Sequence, residues 1–132
     1  KILNNESGVF GICGVSNHIR DIEAAVDEGN ERANLALEHY KYKIAQFIAK
    51  YAVSMQGIDV ITFTAGVGEN ATWVREEVLE GLTFLGVEVD KEKNNVRGKV
   101  AEISTENSKV KAFVIPTDEE VMIARDTYNL SK

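Results

Sequence analysis

The clearest hydrophobic pattern in this 132-residue chain lies in residues 31–56. Apolar residues recur there at steps of three and four, which is the spacing of one face of an α-helix. The members of this stripe are Ala33, Ala36, Leu37, Tyr40, Ile44, Phe47, Ile48, Tyr51, Ala52 and Met55. Asn30 precedes the stripe and is predicted to cap the helix. His39 belongs to the polar face, where we expect a solvated imidazole. The pattern predicts a long helix with one buried stripe.

A shorter helix and two strands are predicted on either side of the long helix. An amphipathic run between Asp21 and Gly29 indicates the short helix. Residues 58–64 and 110–115 are rich in β-branched and aromatic side chains and are too short for helices of usual length. Each of these two segments therefore predicts a buried strand.

The rest of the second half carries weaker patterns. Residues 84–90 and 101–104 are predicted to be short strands, and the mixed charge of residues 91–99 indicates an exposed loop between them. Two further helices are predicted, one after a turn at 65–70 and one over 117–130. Alternating strands and helices favour an α/β fold, in which ligands bind at the carboxyl ends of the strands.

The turn after the first strand contains Gly66 and Gly68, followed by Asn70. Glycines let a backbone bend sharply and approach a ligand closely, so nucleotide binding is one interpretation of this turn. The alternative is that the two glycines close a tight turn and that Asn70 only caps the next helix. Short glycine patterns are common, so both interpretations stay open.

The turn after the last strand has the sequence Pro116 to Glu120 and resembles a capping box. In that motif Thr117 is the N-cap and Glu120 reaches back to its amide. Glu119 is not used by the box, so its carboxylate is a candidate ligand for a hard cation such as Mg²⁺. The alternative is that the adjacent acids only complement the helix dipole.

Composition narrows the class of protein and its partners. Fifteen basic against twenty-one acidic residues give a net charge of −6, which disfavours nucleic acid as a partner. No apolar run is long enough to span a bilayer, so a membrane partner is not expected. The single cysteine, Cys13, cannot form an internal disulfide and favours the reducing cytoplasm. Its apolar neighbours suggest a packing role rather than a thiol nucleophile paired with His18.

These motifs together resemble the carboxy-terminal part of the acetate kinase family. Residues 63–70, followed by Val74 and Arg75, are similar to the family's nucleotide-binding signature. Residues 115–120, followed by Ile123 and Ala124, are similar to its closing motif. The resemblance implies the later part of an RNase H-like, actin-like ATPase domain, an α/β fold with a mixed sheet flanked by helices. Residues 1–132 are then expected to form a carboxy-terminal fragment and part of one domain.

The resemblance also implies which residues meet the ligands. ATP is the expected substrate, Mg²⁺ the expected metal, and Glu119 its expected ligand. The residues that the resemblance assigns to the nucleotide are His18, Ile19, Arg20, Gly66, Val67, Gly68, Glu69 and Asn70. The family usually has Asp where this chain has His18, which affects any hydrogen bond from that position to the ribose or adenine. No catalytic residue is expected here, because the family's acetate pocket and catalytic groups would precede Lys1.

Three functions follow as hypotheses. The first is a fragment of an acetate kinase, which transfers the γ-phosphoryl of ATP to acetate reversibly and forms a homodimer. The fragment would contribute contacts to ATP or ADP and Mg²⁺ while remaining inactive alone. The second is a fragment of a propionate or butyrate kinase. The third is a non-catalytic dimerisation or structural module.

Overall fold

The computed structural model describes residues 2–132, except for the side chains of Asn4 and Asn5. The chain divides into two compact units, Lys1–Gln56 and Gly57–Lys132. The first unit is helical, and the second contains a sheet with helices. Among the described residues, no helix combines the length and the apolar character that crossing a bilayer requires.

The described residues of the first unit form four helices. They are α1 (Ile2–Asn5), α2 (Gly8–Cys13), α3 (Ile19–Asp27) and α4 (Glu31–Met55). Both α2 and α3 pack on α4. The buried apolar side chains of this unit are Cys13, Ile22, Ala25, Ala33, Ala36, Leu37 and Ala52. The two longest helices confirm the patterns at 21–29 and 31–56.

The long helix α4 begins as the sequence predicts and departs from the prediction further along. The Oδ1 atom of Asn30 accepts hydrogen bonds from the backbone amides of Arg32 and Ala33, both at 3.0 Å, which confirms the cap. The prediction of one continuous buried stripe is wrong, because Phe47 and Tyr51 are 54% and 62% exposed. The reason is length: α3 has nine residues and α4 has 25, and each residue adds about 1.5 Å to a helix. The shorter helix therefore covers only part of α4.

A three-stranded mixed sheet organises the second unit. Its strands are β1 (Val60–Phe63), β2 (Ala101–Glu102) and β3 (Lys111–Val114), in the order β1-β3-β2. The central strand β3 is parallel to β1 and antiparallel to β2. Ile61 and Phe63 of β1 and Ala112 and Val114 of β3 are buried. The strands predicted at 58–64 and 110–115 are thus confirmed, as is a mixed sheet.

The helices of the second unit depart from the sequence predictions in three places. The α-helices are α5 (Ala65–Asn70), α6 (Thr72–Glu80), α7 (Lys91–Asn94) and α8 (Glu119–Leu130), and a 3-10 helix covers Thr83–Leu85. The turn predicted at 65–70 is instead the short helix α5. The exposed loop predicted at 91–99 is wrong at its start, because α7 lies there and Asn94 is 1% exposed. Residues 84–90 form no continuous strand, since Val87 and Val89 make only isolated bridges.

Candidate functional site

The two predicted turns lie together at the carboxyl ends of β1 and β3. Because these strands are parallel and adjacent, α5 and the start of α8 leave the sheet at the same edge. A cavity of about 410 Å³ lies between them, a volume within the usual range for small-molecule sites. The residues that line it are Ala65, Gly66, Glu69, Thr117, Asp118, Glu119 and Glu120.

The backbone of α5 meets the cavity at Ala65 and Gly66 and the sheet at Gly68. Ala65 has a φ of +58°, a left-handed conformation that costs a residue with a Cβ about 1 kcal/mol. A Cβ added at Gly66 would have no atom within 4 Å, so this position borders open space. A Cβ added at Gly68 would lie 3.3 Å from the carbonyl carbon of Phe63. The two glycines therefore serve different purposes: Gly66 leaves the cavity open, and Gly68 allows α5 to pack closely against the sheet.

The alternative interpretation predicts that Asn70 caps the following helix, and this prediction is wrong. It is the last residue of α5, and Ala71 occupies the N-cap position of α6. The Nδ2 atom of Asn70 donates a hydrogen bond to the carbonyl oxygen of Gly66 at 2.9 Å. The side chain of Asn70 therefore stabilises α5 through a hydrogen bond within the helix.

The capping box predicted at α8 does not form, and the N-cap lies one residue later than predicted. Asp118 is the N-cap, and its Oδ1 atom accepts from the amide of Val121 at 3.0 Å. The amide and the hydroxyl of Thr117 instead donate to Oε1 of Glu69, at 3.0 and 3.2 Å. Thr117 therefore bonds to α5 and not to its own helix, and the predicted role of Glu120 in the box is wrong.

The cavity is acidic. Glu69, Asp118, Glu119 and Glu120 contribute carboxylates to its lining, and none of the described lining residues is basic. The amides of neighbouring residues engage Glu69 and Asp118, whereas no side chain or amide in the described part of the chain donates to Glu119. Its exposed carboxylate is therefore available to a ligand. In that same part of the chain, no cluster of three or more His, Cys, Asp or Glu side chains is arranged to hold a metal ion.

A buried arginine supports α5 from the side of the protein core. Arg75 on α6 is completely buried and donates to the carbonyl oxygen of Gly68 at 2.9 Å. It also donates to Oδ1 and the carbonyl oxygen of Asn94, both at 2.8 Å, and to the carbonyl oxygen of Val96. Burial and, to a smaller extent, the charge of Arg97 lower the pKa of Arg75.

Sequence reasoning assigned no role to Arg75, although a signal was present. Arg75 stands three and four residues before Val78 and Leu79, which are both buried. A cationic side chain at that spacing lies on the apolar face of the helix. A buried cation needs hydrogen-bond acceptors, which here come from the backbone on either side of α6.

The other predicted nucleotide residues belong to the first unit. His18 is the N-cap residue of α3, and its side chain and that of Arg20 are exposed, while Ile19 is half-buried. The hydroxyl of Ser16 accepts from the amide of His18 at 3.0 Å and donates to Asp21 at 2.6 Å. This arrangement orders the loop that presents His18 and Arg20 to solvent.

Cys13 also lies in the first unit. It is a free thiol that is 5% exposed, as its apolar neighbours predict. Its Sγ atom lies 3.6 Å from the carbonyl oxygen of Ser16. Cys13 therefore packs inside the unit.

Together, the mixed sheet and the cavity at its strand ends define an α/β protein with an open cavity at one edge of its sheet. The model of the Acetokinase family matches residues 1–125, and the chain belongs to this family.

Individual relatives agree with the family match. The chain is 58% identical over 130 residues to an acetate kinase of Clostridium botulinum (strain Hall), covering 98% of this chain and 33% of the relative. The crystal structure of Porphyromonas gingivalis acetate kinase matches with a TM-score of 0.88 and 47% identity, over 99% of this chain and 33% of that one. A propionate kinase structure from Francisella tularensis matches with a TM-score of 0.81 and 36% identity, over 93% of this chain and 31% of that one. The chain thus spans about a third of the length of the relatives it matches.

Proposed function

We propose that the chain is the carboxy-terminal part of an acetate kinase and forms part of one of its domains. The whole enzyme transfers the γ-phosphoryl of ATP to the carboxylate of acetate, reversibly, and this part supplies contacts to the nucleotide and to Mg²⁺. The observation that carries the proposal is the cavity in which the backbone of Gly66 faces the α8 start that bears Glu119. Family membership supports the kinase class.

The acidic lining defines the form in which a nucleotide can bind. Phosphate groups brought close to Glu69, Asp118 and Glu119 are repelled unless a cation lies between them. Mg²⁺ is suited to this position, because it commonly takes one or two protein carboxylates and completes its shell with phosphate oxygens and water. Glu119 supplies such a carboxylate. When bound, Mg²⁺ neutralises charge on the phosphates during phosphoryl transfer.

Each unit, taken by itself, carries further residues that we propose as nucleotide contacts. On α5, the open position at Gly66 lets the backbone approach the ligand, and Val67, Gly68, Glu69 and Asn70 complete the segment. In the first unit, Ile19 offers an apolar surface for the adenine and Arg20 a planar guanidinium for stacking. His18 offers an imidazole in place of the family's usual carboxylate.

Calorimetry on the 132-residue chain tests the proposal. The chain is titrated with Mg-ATP, alongside the Glu119→Gln variant and the matched Glu120→Gln variant, which removes a charge from the same cavity. We expect binding by the unaltered chain, a loss of about tenfold in affinity for Glu119→Gln, equivalent to about 1.4 kcal/mol, and a smaller loss for Glu120→Gln. Absence of binding at millimolar Mg-ATP would refute the nucleotide role.

A different acyl acceptor is the closest alternative. The propionate kinase of Francisella tularensis shares 36% identity with this chain, so propionate or butyrate is a second candidate acceptor. Steady-state kinetics of the full-length protein with acetate, propionate and butyrate distinguish the acceptors through their kcat/KM ratios.

A structural or dimerisation role is the alternative of a different class. Exposed apolar side chains on the second half of α4, among them Phe47, Tyr51 and Met55, favour a homodimer or another protein contact. Sedimentation equilibrium measures the oligomeric state. A chain that self-associates without binding Mg-ATP supports this alternative over the kinase fragment.

The charge of the chain and the state of its cysteine bear on its cellular compartment and on its class of partner. We propose a cytoplasmic protein, because Cys13 is a buried free thiol that persists in a reducing compartment. A net charge of −6 favours a small-molecule substrate over nucleic acid. Fractionation of the source cells, with detection of the chain in each fraction, checks the compartment.

A further inference from the structure

A single carboxylate oxygen joins the two sides of the cavity. Oε1 of Glu69 accepts both from the backbone amide of Thr117, at 3.0 Å, and from the hydroxyl of Thr117, at 3.2 Å. Glu69 is separated from Thr117 by 48 positions in the chain, so the bond closes a large loop between α5 and the segment before α8. Hydrogen bonds to an ionised carboxylate are about twice as strong as neutral ones.

The backbone on each side is arranged for this contact. On the α8 side, Pro116 has no N–H, so the amide of Thr117 is the first one after Ile115 that a side chain can engage. The amide of Ile115 itself donates to the carbonyl oxygen of Phe63 at 2.9 Å and extends the sheet. On the α5 side, the carbonyl oxygen of Glu69 accepts from the amide of Gly98 at 3.4 Å.

The start of α8 is an exposed part of the fold, so the bond to Glu69 is a candidate for holding it in place. None of the residues Glu119–Leu130 is buried. Its first turn carries Asp118, Glu119 and Glu120, whose charges repel one another and the carboxylate of Glu69. The charge-assisted bond from Thr117 to Glu69 opposes this repulsion.

We propose that Glu69 is a positioning residue, whose carboxylate holds Thr117 and thereby sets the distance between the Gly66 backbone and the carboxylate of Glu119. This inference rests on the proposed Mg-nucleotide site. It assigns Glu69 a role different from the direct nucleotide contact that its place in the signature implies. Glu69 acts on the ligand through Thr117 and Glu119.

The test compares two substitutions of Glu69, one that keeps a hydrogen-bond acceptor and one that does not. Glu69→Gln retains an acceptor oxygen in the same place and loses the charge, whereas Glu69→Ala loses both. Backbone amide exchange at Thr117 is measured by NMR in the 132-residue chain without ligand, and the Kd for Mg-ATP is measured by calorimetry. We expect exchange at Thr117 to be about tenfold faster in Glu69→Ala and close to the original rate in Glu69→Gln.

The affinities separate a positioning role from direct contact. Glu69→Ala is expected to weaken Mg-ATP binding by about tenfold, and Glu69→Gln by about threefold or less. A residue that binds the cation through its charge would lose as much affinity in Gln as in Ala, and that result overturns the proposal. Unchanged exchange at Thr117 in Glu69→Ala overturns it as well.

Thr117→Val supplies a second, independent comparison. This variant keeps the amide donor and removes the hydroxyl donor of the same residue. If Glu69 acts through the hydroxyl of Thr117, Glu69→Ala costs less affinity in the Thr117→Val background than in the original chain. Equal costs in the two backgrounds exclude the hydroxyl and leave the amide of Thr117, whose exchange rate is measured above, as the only route for the proposed role.

Failure of the proposed function has a different signature. If the proposed function is wrong, the unaltered chain binds no Mg-ATP. Amide exchange at Thr117 then still shows whether the bond to Glu69 holds the segment before α8 in place.

Discussion

The two glycines of α5 show how one residue type serves two purposes within three positions. Gly66 borders open space at the cavity, and Gly68 packs against the backbone of Phe63. The sequence presents both simply as turn glycines, because neither their surroundings nor the left-handed φ of Ala65 can be read from the local pattern.

Alanine substitutions at these glycines are expected to separate binding from stability. Gly66→Ala adds a methyl group on the cavity side and is expected to leave the free energy of unfolding within about 0.5 kcal/mol while it weakens Mg-ATP binding several-fold. Gly68→Ala is expected to cost about 1–3 kcal/mol through close contact with Phe63. Urea unfolding and calorimetry on both variants check this, and equal stability losses at the two positions would contradict it.

Glu102 on β2 is an exposed carboxylate with two close polar partners. Its carboxylate accepts from the hydroxyl of Ser104 at 2.9 Å and lies 3.3 Å from Nζ of Lys111, and these contacts lower its pKa. A carboxyl whose pKa is lower in the folded state stabilises the fold above its unfolded pKa, near 4.3, and loses that contribution as pH falls through the folded value.

A pH series on Glu102→Gln tests this contribution. At pH 7 the variant is expected to melt at a slightly lower temperature than the original chain. The difference is expected to shrink as pH falls through the lowered folded pKa of Glu102 and to vanish once that carboxyl is protonated. Glu106→Gln, an exposed acid in the same segment, serves as the control. A difference in melting temperature that persists unchanged at pH 3 would mean that packing, not charge, is responsible.

At the scale of elements, the sequence predicts the main strands and the longer helices well, and it predicts residues 84–99 and the ends of helices less well. The parallel strands β1 and β3 and the helices α3 and α4 follow from apolar periodicity, because burial on one face imposes it. The shift of the α8 N-cap from Thr117 to Asp118 does not follow, since the hydroxyl of Thr117 bonds to Glu69 on another element. Non-local bonds of this kind leave no trace in a local pattern.

Arg75 ties α5, α6 and the segment after α7 together. Arg75→Leu leaves the carbonyl oxygens of Gly68, Asn94 and Val96 without their donor and is expected to cost about 3 kcal/mol of unfolding free energy. Arg75→Lys is expected to recover part of this, because an ammonium group reaches fewer acceptors than the planar guanidinium.

The neighbouring Arg97 provides the control for charge. Arg97 is exposed, and its charge lowers the pKa of Arg75, so Arg97→Gln is expected to leave stability unchanged or slightly higher. Denaturant midpoints measure all three variants. If Arg75→Leu proves as stable as the original chain, hydrophobic replacement compensates for the lost hydrogen bonds and the tie is dispensable.

For the whole molecule, the sequence motifs identified the family, and the family match confirms it. The two segments that carry the motifs lie at the same edge of the sheet in the structure. The roles of Gly66, Glu69 and Glu119 toward a nucleotide remain predictions. The division into two compact units was not predicted, because the chain lacks a proline- or glycine-rich linker at Gly57. The exposed second half of α4 was also not predicted, since periodicity shows that a face is apolar and not what covers it.

The charge of the whole molecule is expected to make the proposed nucleotide binding depend on a divalent cation. A chain with net charge −6 presents an acidic cavity to ATP, itself an anion, so cation-free ATP meets repulsion at long range and in the site. We expect the Kd for ATP in EDTA to be at least about tenfold weaker than in excess Mg²⁺. In EDTA, raising the salt concentration is expected to strengthen binding, because salt screens the repulsion.

Glu119→Gln distinguishes a specific cation ligand from general screening. If Glu119 holds the cation, this variant loses most of the affinity difference between Mg²⁺ and EDTA, while Glu120→Gln in the same cavity retains it. If Mg²⁺ acts only by neutralising the nucleotide in solution, both variants bind Mg-ATP equally well or better than the original chain, because each removes one negative charge. The comparison of these two glutamates therefore separates coordination by Glu119 from the electrostatics of the whole molecule.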